Sequence, residues 1–126
     1  MTNDQHIRTR LRSKTVGIAG CGGLGSNCAV ALARVGVGKL VIADFDRVEE
    51  SNLNRQYFFS DQVGLPKVKA LKENIGRIDT AVFVETHEIV LDSANIPLVY
   101  KDCDVIVEAF DKSEMKQMII ETVAAT

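Results

Sequence analysis

Apolar and polar positions alternate along this chain in blocks rather than residue by residue. Residues 15–19 (TVGIA) form a short apolar run stopped by glycine, which predicts a strand buried on both faces. Over residues 24–35 small and apolar side chains recur at helical spacing, and Gly36 follows as a helix stop. Residues 39–43 (KLVIA) repeat the buried-strand pattern and lead into Asp44-Phe45-Asp46. After a polar segment, residues 47–65, Pro66 opens a helix that carries Val68, Leu71, Ile75 and Ile78 on one face. A third strand is predicted at 81–86, a looser helical stretch at 93–100, and a fourth strand at 104–110 (DVIVEAF). A last helix, 113–125, places Met115, Met118, Ile119 and Val123 inward.

Strands without clean alternation, separated by helices, predict an α/β fold: a mostly parallel, Rossmann-like sheet with helices on both faces. The 126 residues fit one domain, taken as 1–126, and 46% hydrophobic residues supply an ordinary core. The chain stops straight after the last helix, where another strand would continue such a sheet, so a fragment truncated at its C-terminal side is expected. In sheets of this kind ligands sit at the carboxyl ends of the strands, where the strand order reverses. Each candidate residue is therefore judged by whether it follows a strand end.

Gly20-Cys21-Gly22-Gly23-Leu24-Gly25 fits G-x-G-x-x-G between a strand and a helix, the context that pattern requires. Gly20 permits a tight turn, Gly22 leaves room for a phosphate, and Gly25 lets helix and strand pack closely. Gly23 adds another position without a side chain, at a helix start whose N–H groups attract anions. Alone, such a loop is equally a turn that binds nothing. Asp44 ends the second strand at the distance where an acid reaches a ribose hydroxyl, although aspartate also favours turns. Loop and acid together point to a nucleotide.

ATP and NAD share the ribose and the pyrophosphate. Cations along a triphosphate and a carboxylate for Mg²⁺ separate them, since hydride transfer needs neither. Asn52 and Arg55, in the polar segment after the second strand, can reach phosphate or sit in a solvated loop. Lys67 lies in the first turn of a helix, where the dipole does not favour a lysine, so a phosphate role stands beside a solvated one. Asp111 ends the fourth strand and is the candidate for magnesium; its spacing from Glu114 also suits a helix cap. His6 and His87 read as surface or loop residues, and Glu108 is a charge in an apolar strand without an assigned role.

A net charge of -2 gives no sign of a nucleic-acid-binding surface, and no apolar run approaches the length of a membrane helix. Three cysteines, Cys21, Cys28 and Cys103, without C-x-x-C pairing suit buried free thiols and a reducing, cytoplasmic setting.

Four runs in order, G-C-G-G-L-G-S (20–26), D-F-D (44–46), S-N-L-N-R-Q (51–56) and G-L-P-K (64–67), resemble the ThiF/MoeB/HesA family, bacterial relatives of ubiquitin-activating enzymes. The resemblance runs from about residue 15 to the end, and NAD dehydrogenases share only the first run. It implies ATP- and Mg²⁺-dependent adenylation of the C-terminal glycine of a ubiquitin-fold, ThiS-like sulfur carrier, as in thiamine biosynthesis, by a homodimer. It implies that the loop around Gly23 lines the phosphates and that Asp44 holds the ribose. Asn52, Arg55 and Lys67 would contact the phosphates, and Asp111 the magnesium. The match departs at Asp111-Lys112, where the family often has an aspartate–asparagine pair; the stretch EAFDKSEMK is closer to short ThiF-type proteins. The family's arginine on an N-terminal arm, reaching a partner's site, has no matched position so close to the first strand; Arg8, Arg10 and Arg12 are the candidates to substitute for it. The zinc-binding cysteine pairs of many members and much of the carrier-docking surface would lie beyond Thr126. Two other readings remain: an NAD(P)-dependent oxidoreductase domain, which leaves Arg55, Lys67 and Asp111 unexplained, and a non-catalytic nucleotide-binding or dimerisation module.

Overall fold

The computed structural model describes residues 3–110. The predicted helix at 113–125 and Asp111 lie outside that range. Eight elements of helix and strand alternate: α1 (Asn3–Leu11), β1 (Thr15–Ala19), α2 (Gly23–Val35), β2 (Lys39–Ala43), α3 (Lys67–Ile78), β3 (Phe83–His87), α4 (Ile96–Val99) and β4 (Val105–Glu108). The four strands are parallel in the order β3-β2-β1-β4. The chain thus leaves β1 toward one side of the sheet and returns to its other side at β4, so the order reverses at the end of β1.

The same sequence pattern that predicts the strands explains why they are covered twice. Val16, Ile18, Leu40, Ile42 and Val84 project to one face and pack with Ala29, Ala33, Val68, Leu71 and Ile75 of α2 and α3. Ala19, Val41 and Ala43 project to the other, under Leu91, Ile96, Val99 and Tyr100. Each fully buried Leu or Ile contributes about 1.5–3 kcal/mol relative to exposure, so neither layer is dispensable. Helix α2 ends as its glycine requires: Gly36, at φ 98°, turns left-handed and returns its N–H to the Leu32 and Ala33 carbonyls.

Three predicted boundaries shift. β3 begins two residues later than the pattern suggests, because Asp79 accepts the Ala81 N–H at 2.8 Å and holds the preceding residues in a turn. The expected helix at 93–100 shrinks to α4. Asp92 accepts the N–H groups of Ala94 and Asn95, folding residues 92–95 into a turn, and Pro97 stands in the first helical turn. β4 is shorter at both ends than 104–110; Glu108 turns its carboxylate back on the Phe110 N–H at 2.7 Å, which gives that charge a structural occupation. Helix α1 has no counterpart in the sequence reading.

Candidate functional site

The register places Ala19, Ala43 and Glu108 side by side at the carboxyl edge of the sheet. The loops that follow β1, β2 and β4 therefore converge at the point where the strand order reverses. A cleft of about 610 Å³ opens there, walled by Gly20, Gly22, Asp44, Asn52, Arg55 and Lys67.

The glycine loop is held from below. Gly20 takes φ 99°, a left-handed conformation suited to glycine, and its N–H donates to the Ala43 carbonyl at 3.0 Å. A side chain at Gly25 would be driven into the carbonyl oxygen of Gly20, so the close approach of α2 to the loop depends on that glycine. Helix α2 starts at Gly23 with no side-chain cap and no acidic residue in its first turn. Its positive end is thus left for an anion.

Asp44 is buried, and both of its oxygens are engaged. Oδ2 accepts the Cys21 N–H at 2.7 Å and Oδ1 the Asp46 N–H at 2.8 Å. One carboxylate ties the glycine loop to the turn after β2, and its remaining lone pairs face the cleft it lines. Cys21 is fully buried; burial pushes its thiol well up, the charge of Asp44 adds to that, and Lys67 opposes it. Cys28 and Cys103 are free but only partly buried, which corrects the expectation of three buried thiols.

The segment after β2 carries the polar groups inward by folding over α2 and α3. Ser26 Oγ accepts the Tyr57 N–H at 3.0 Å, and Asn27 Nδ2 donates to the carbonyls of both Gly23 and Arg55. Gln62 and Asn74 exchange amide hydrogen bonds, and Asn74 also donates to the Tyr57 carbonyl. These contacts fix residues 55–62 against the helices. Asn52 is buried with Oδ1 accepting the Glu49 N–H, so half of its amide serves the turn. Arg55 is exposed, its guanidinium donating to the Ser51 carbonyl at 3.1 Å.

Lys67 is placed by a short antiparallel bridge between Arg47 and Pro66. Its own N–H, one of the free donors of a helix start, reaches the Asp46 carbonyl at 2.9 Å. Only 7% of the residue is exposed. Among the described residues no carboxylate comes within ion-pair distance of Lys67 or Arg55. The stem is packed while the ammonium is not among the polar atoms sealed from solvent, so the charge is presented to the cleft that Lys67 lines, where it suits an anion. The solvated-face reading of Lys67 is therefore corrected.

Gly23 and Gly25 are not among the residues that line the cleft. Sequence reasoning missed Phe45, Arg47, Gln56 and Val90, which do line the cleft. Arg47 is directed partly away, donating to the Gly64 carbonyl at 2.9 Å and lying 4.0 Å from Glu88. Among the described residues no three His, Cys, Asp or Glu side chains converge on a metal position. His87 is in β3 and half-buried, 2.7 Å from Glu85, rather than in a loop. Of the N-terminal arginines, Arg8 donates to the Arg34 carbonyl and Arg12 pairs with Asp79, so both are engaged within the chain.

A parallel sheet, a glycine loop at its switch point and an acid after the second strand define an α/β protein of the Rossmann-like kind. The chain belongs to the ThiF family, whose model matches residues 3–126. It is 49% identical over 78 residues to ubiquitin-like modifier-activating enzyme 5 of Drosophila persimilis, a stretch covering 62% of this chain and 20% of that protein. Among solved structures it is similar to the Escherichia coli tRNA N6-threonylcarbamoyladenosine dehydratase TcdA in complex with ATP. There the TM-score is 0.90 with 27% identity, over 96% of this chain and 51% of that one. Escherichia coli MccB, solved with MccA-N7isoASN, matches with a TM-score of 0.81 and 28% identity, over 93% of this chain and 33% of the other. The chain thus spans about a fifth of that curated relative and half of TcdA. Among the described residues no helix is long and apolar enough to cross a membrane.

Proposed function

We propose that this chain is the nucleotide-binding unit of an adenylating enzyme, which holds ATP in the cleft and activates a protein carboxylate as its acyl adenylate. The observation that carries the reading is Lys67: a lysine buried beside a glycine loop, with no carboxylate partner among the described residues. Charge of that kind suits the phosphates of ATP. TcdA, similar over nearly the whole chain, has been crystallised with ATP and with AMP.

The substrate carboxylate is ionised at neutral pH and needs no general base. Its oxygen attacks the α-phosphorus, the bond from that phosphorus to the bridging oxygen breaks, and pyrophosphate leaves with the electron pair. The chain's task is to position the phosphates and offset charge. The α2 start and Lys67 act from below, Arg55 and Asn52 from the side, and Asp44 accepts from the ribose hydroxyls. Asp111, outside the described residues, would hold a magnesium ion, which would supply further neutralisation of phosphate charge.

The acceptor in this proposal is the C-terminal glycine of a ubiquitin-fold protein. A ThiS-like sulfur carrier of thiamine or related biosynthesis is the particular form, in a cytoplasmic homodimer. The name of the Drosophila relative, a ubiquitin-like modifier-activating enzyme, supports the same acceptor class. ATP–pyrophosphate exchange tests it. Exchange is expected only with a carrier whose C-terminal carboxylate is free, and equal exchange with a C-terminally amidated carrier would contradict the reading.

A further inference from the structure

Four amide side chains are buried among the described residues: Asn52, Gln56, Gln62 and Asn74. Three are satisfied. Asn52 caps its turn, and Gln62 and Asn74 bond to each other. Gln56 differs. It is 7% exposed, yet its Oε1 is sealed from solvent without a hydrogen-bond partner among the described residues. No protein group among the described residues is paired with its Nε2 either.

The position is built rather than incidental. The Gln56 N–H donates to the Asn52 carbonyl and its carbonyl accepts the Phe58 N–H, both at 2.9 Å, so the backbone on each side is fixed. The side chain lines the cleft that Lys67 and Arg55 also line. Its Nε2 lies 3.7 Å from the point where a side chain on Gly22 would begin, so the amide faces the part of the glycine loop left open for a ligand. The sealed atom is the acceptor Oε1; the donor Nε2 is not among the sealed atoms, so its N–H groups are free to meet a ligand in the cleft.

We propose that Gln56 is a further nucleotide-binding residue, donating its Nε2–H to a non-bridging phosphate oxygen held against Gly22. An amide suits this place better than a third cation. It supplies a donor without adding positive charge beside Lys67. Its carbonyl, turned into the protein, does not repel the anion. The inference rests on the reading of the cleft as an ATP site.

Calorimetric titration of the full chain and of Gln56→Met with ATP and with adenosine tests it, alongside Lys67→Met and thermal melting of each. Methionine keeps the volume and removes the amide. The expected result is ATP affinity lower by about tenfold in Gln56→Met, as for one hydrogen bond to a charged group. Adenosine affinity should be unchanged and the melting temperature equal or higher, because an unpaired oxygen has been removed. A purely structural role predicts the reverse, a lower melting temperature with ATP affinity intact, and overturns the inference. Unchanged ATP affinity in Gln56→Met beside weakened affinity in Lys67→Met overturns it while sparing the ATP site. Failure of the unaltered chain to bind ATP overturns both.

Discussion

The Cys21 N–H donates to Asp44 Oδ2 at 2.7 Å, so the residue expected to hold a ribose also holds the loop expected to hold its phosphates. With its other oxygen on the Asp46 N–H, the carboxylate couples the ends of β1 and β2. Asp44→Asn presents an amide N–H₂ to one of two backbone donors. The expected loss is about 1–3 kcal/mol of stability, the cost of one buried unsatisfied donor. Urea denaturation measures it, and an unchanged midpoint would show that the coupling is absent in solution.

Gly25 and Gly76 are both helical glycines with opposite surroundings. A methyl group on Gly25 meets the Gly20 carbonyl, whereas nothing lies within 4 Å of one on Gly76. Gly25→Ala is therefore expected to cost on the order of 3 kcal/mol or more. Gly76→Ala is expected to stabilise by ~0.5–1 kcal/mol through helix propensity. Thermal melting of the two variants should move in opposite directions.

Much of this arrangement is legible in the sequence because local rules govern it. The apolar runs of β1 and β2, Gly36 and Pro66 each mark an element whose local preference and tertiary role agree. Helix α1 is invisible for the converse reason. Its sequence NDQHIRTRL has no apolar stripe, and long-range contacts hold it: Arg8 to the Arg34 carbonyl, Arg12 to Asp79, and the Gly38 N–H to the Leu11 carbonyl. The cleft divides in the same way. Asp44 and the glycines announce themselves by type and spacing. The burial of Lys67 and Gln56 follows from the fold of residues 47–66 over the helices, which no periodicity encodes.

Lys67→Met removes a charge carried on a packed side chain, with no carboxylate partner among the described residues. Stability in the absence of nucleotide should hold or rise, since an apolar side chain is cheaper to bury there. Adenylation should fall on the order of 10²–10³-fold, as for loss of one group that offsets transition-state charge. Melting curves with and without ATP separate the two effects; a large loss of stability without nucleotide would assign Lys67 to the fold instead.

Arg55 is exposed and its guanidinium donates to the Ser51 carbonyl. Arg55→Ala should leave stability within about 0.5 kcal/mol of the parent, as surface changes do, and thermal melting checks it. The expected rate of ATP–pyrophosphate exchange is again lower on the order of 10²–10³-fold. Nearly full exchange in this variant would remove Arg55 from the site.

The central claim is that the cleft takes ATP, and calorimetric titration with ATP and with NAD, each with and without Mg²⁺, tests it most directly. The account predicts ATP binding that magnesium strengthens and that Lys67→Met and Asp111→Asn weaken. NAD binding indifferent to magnesium, with ATP silent, would contradict it.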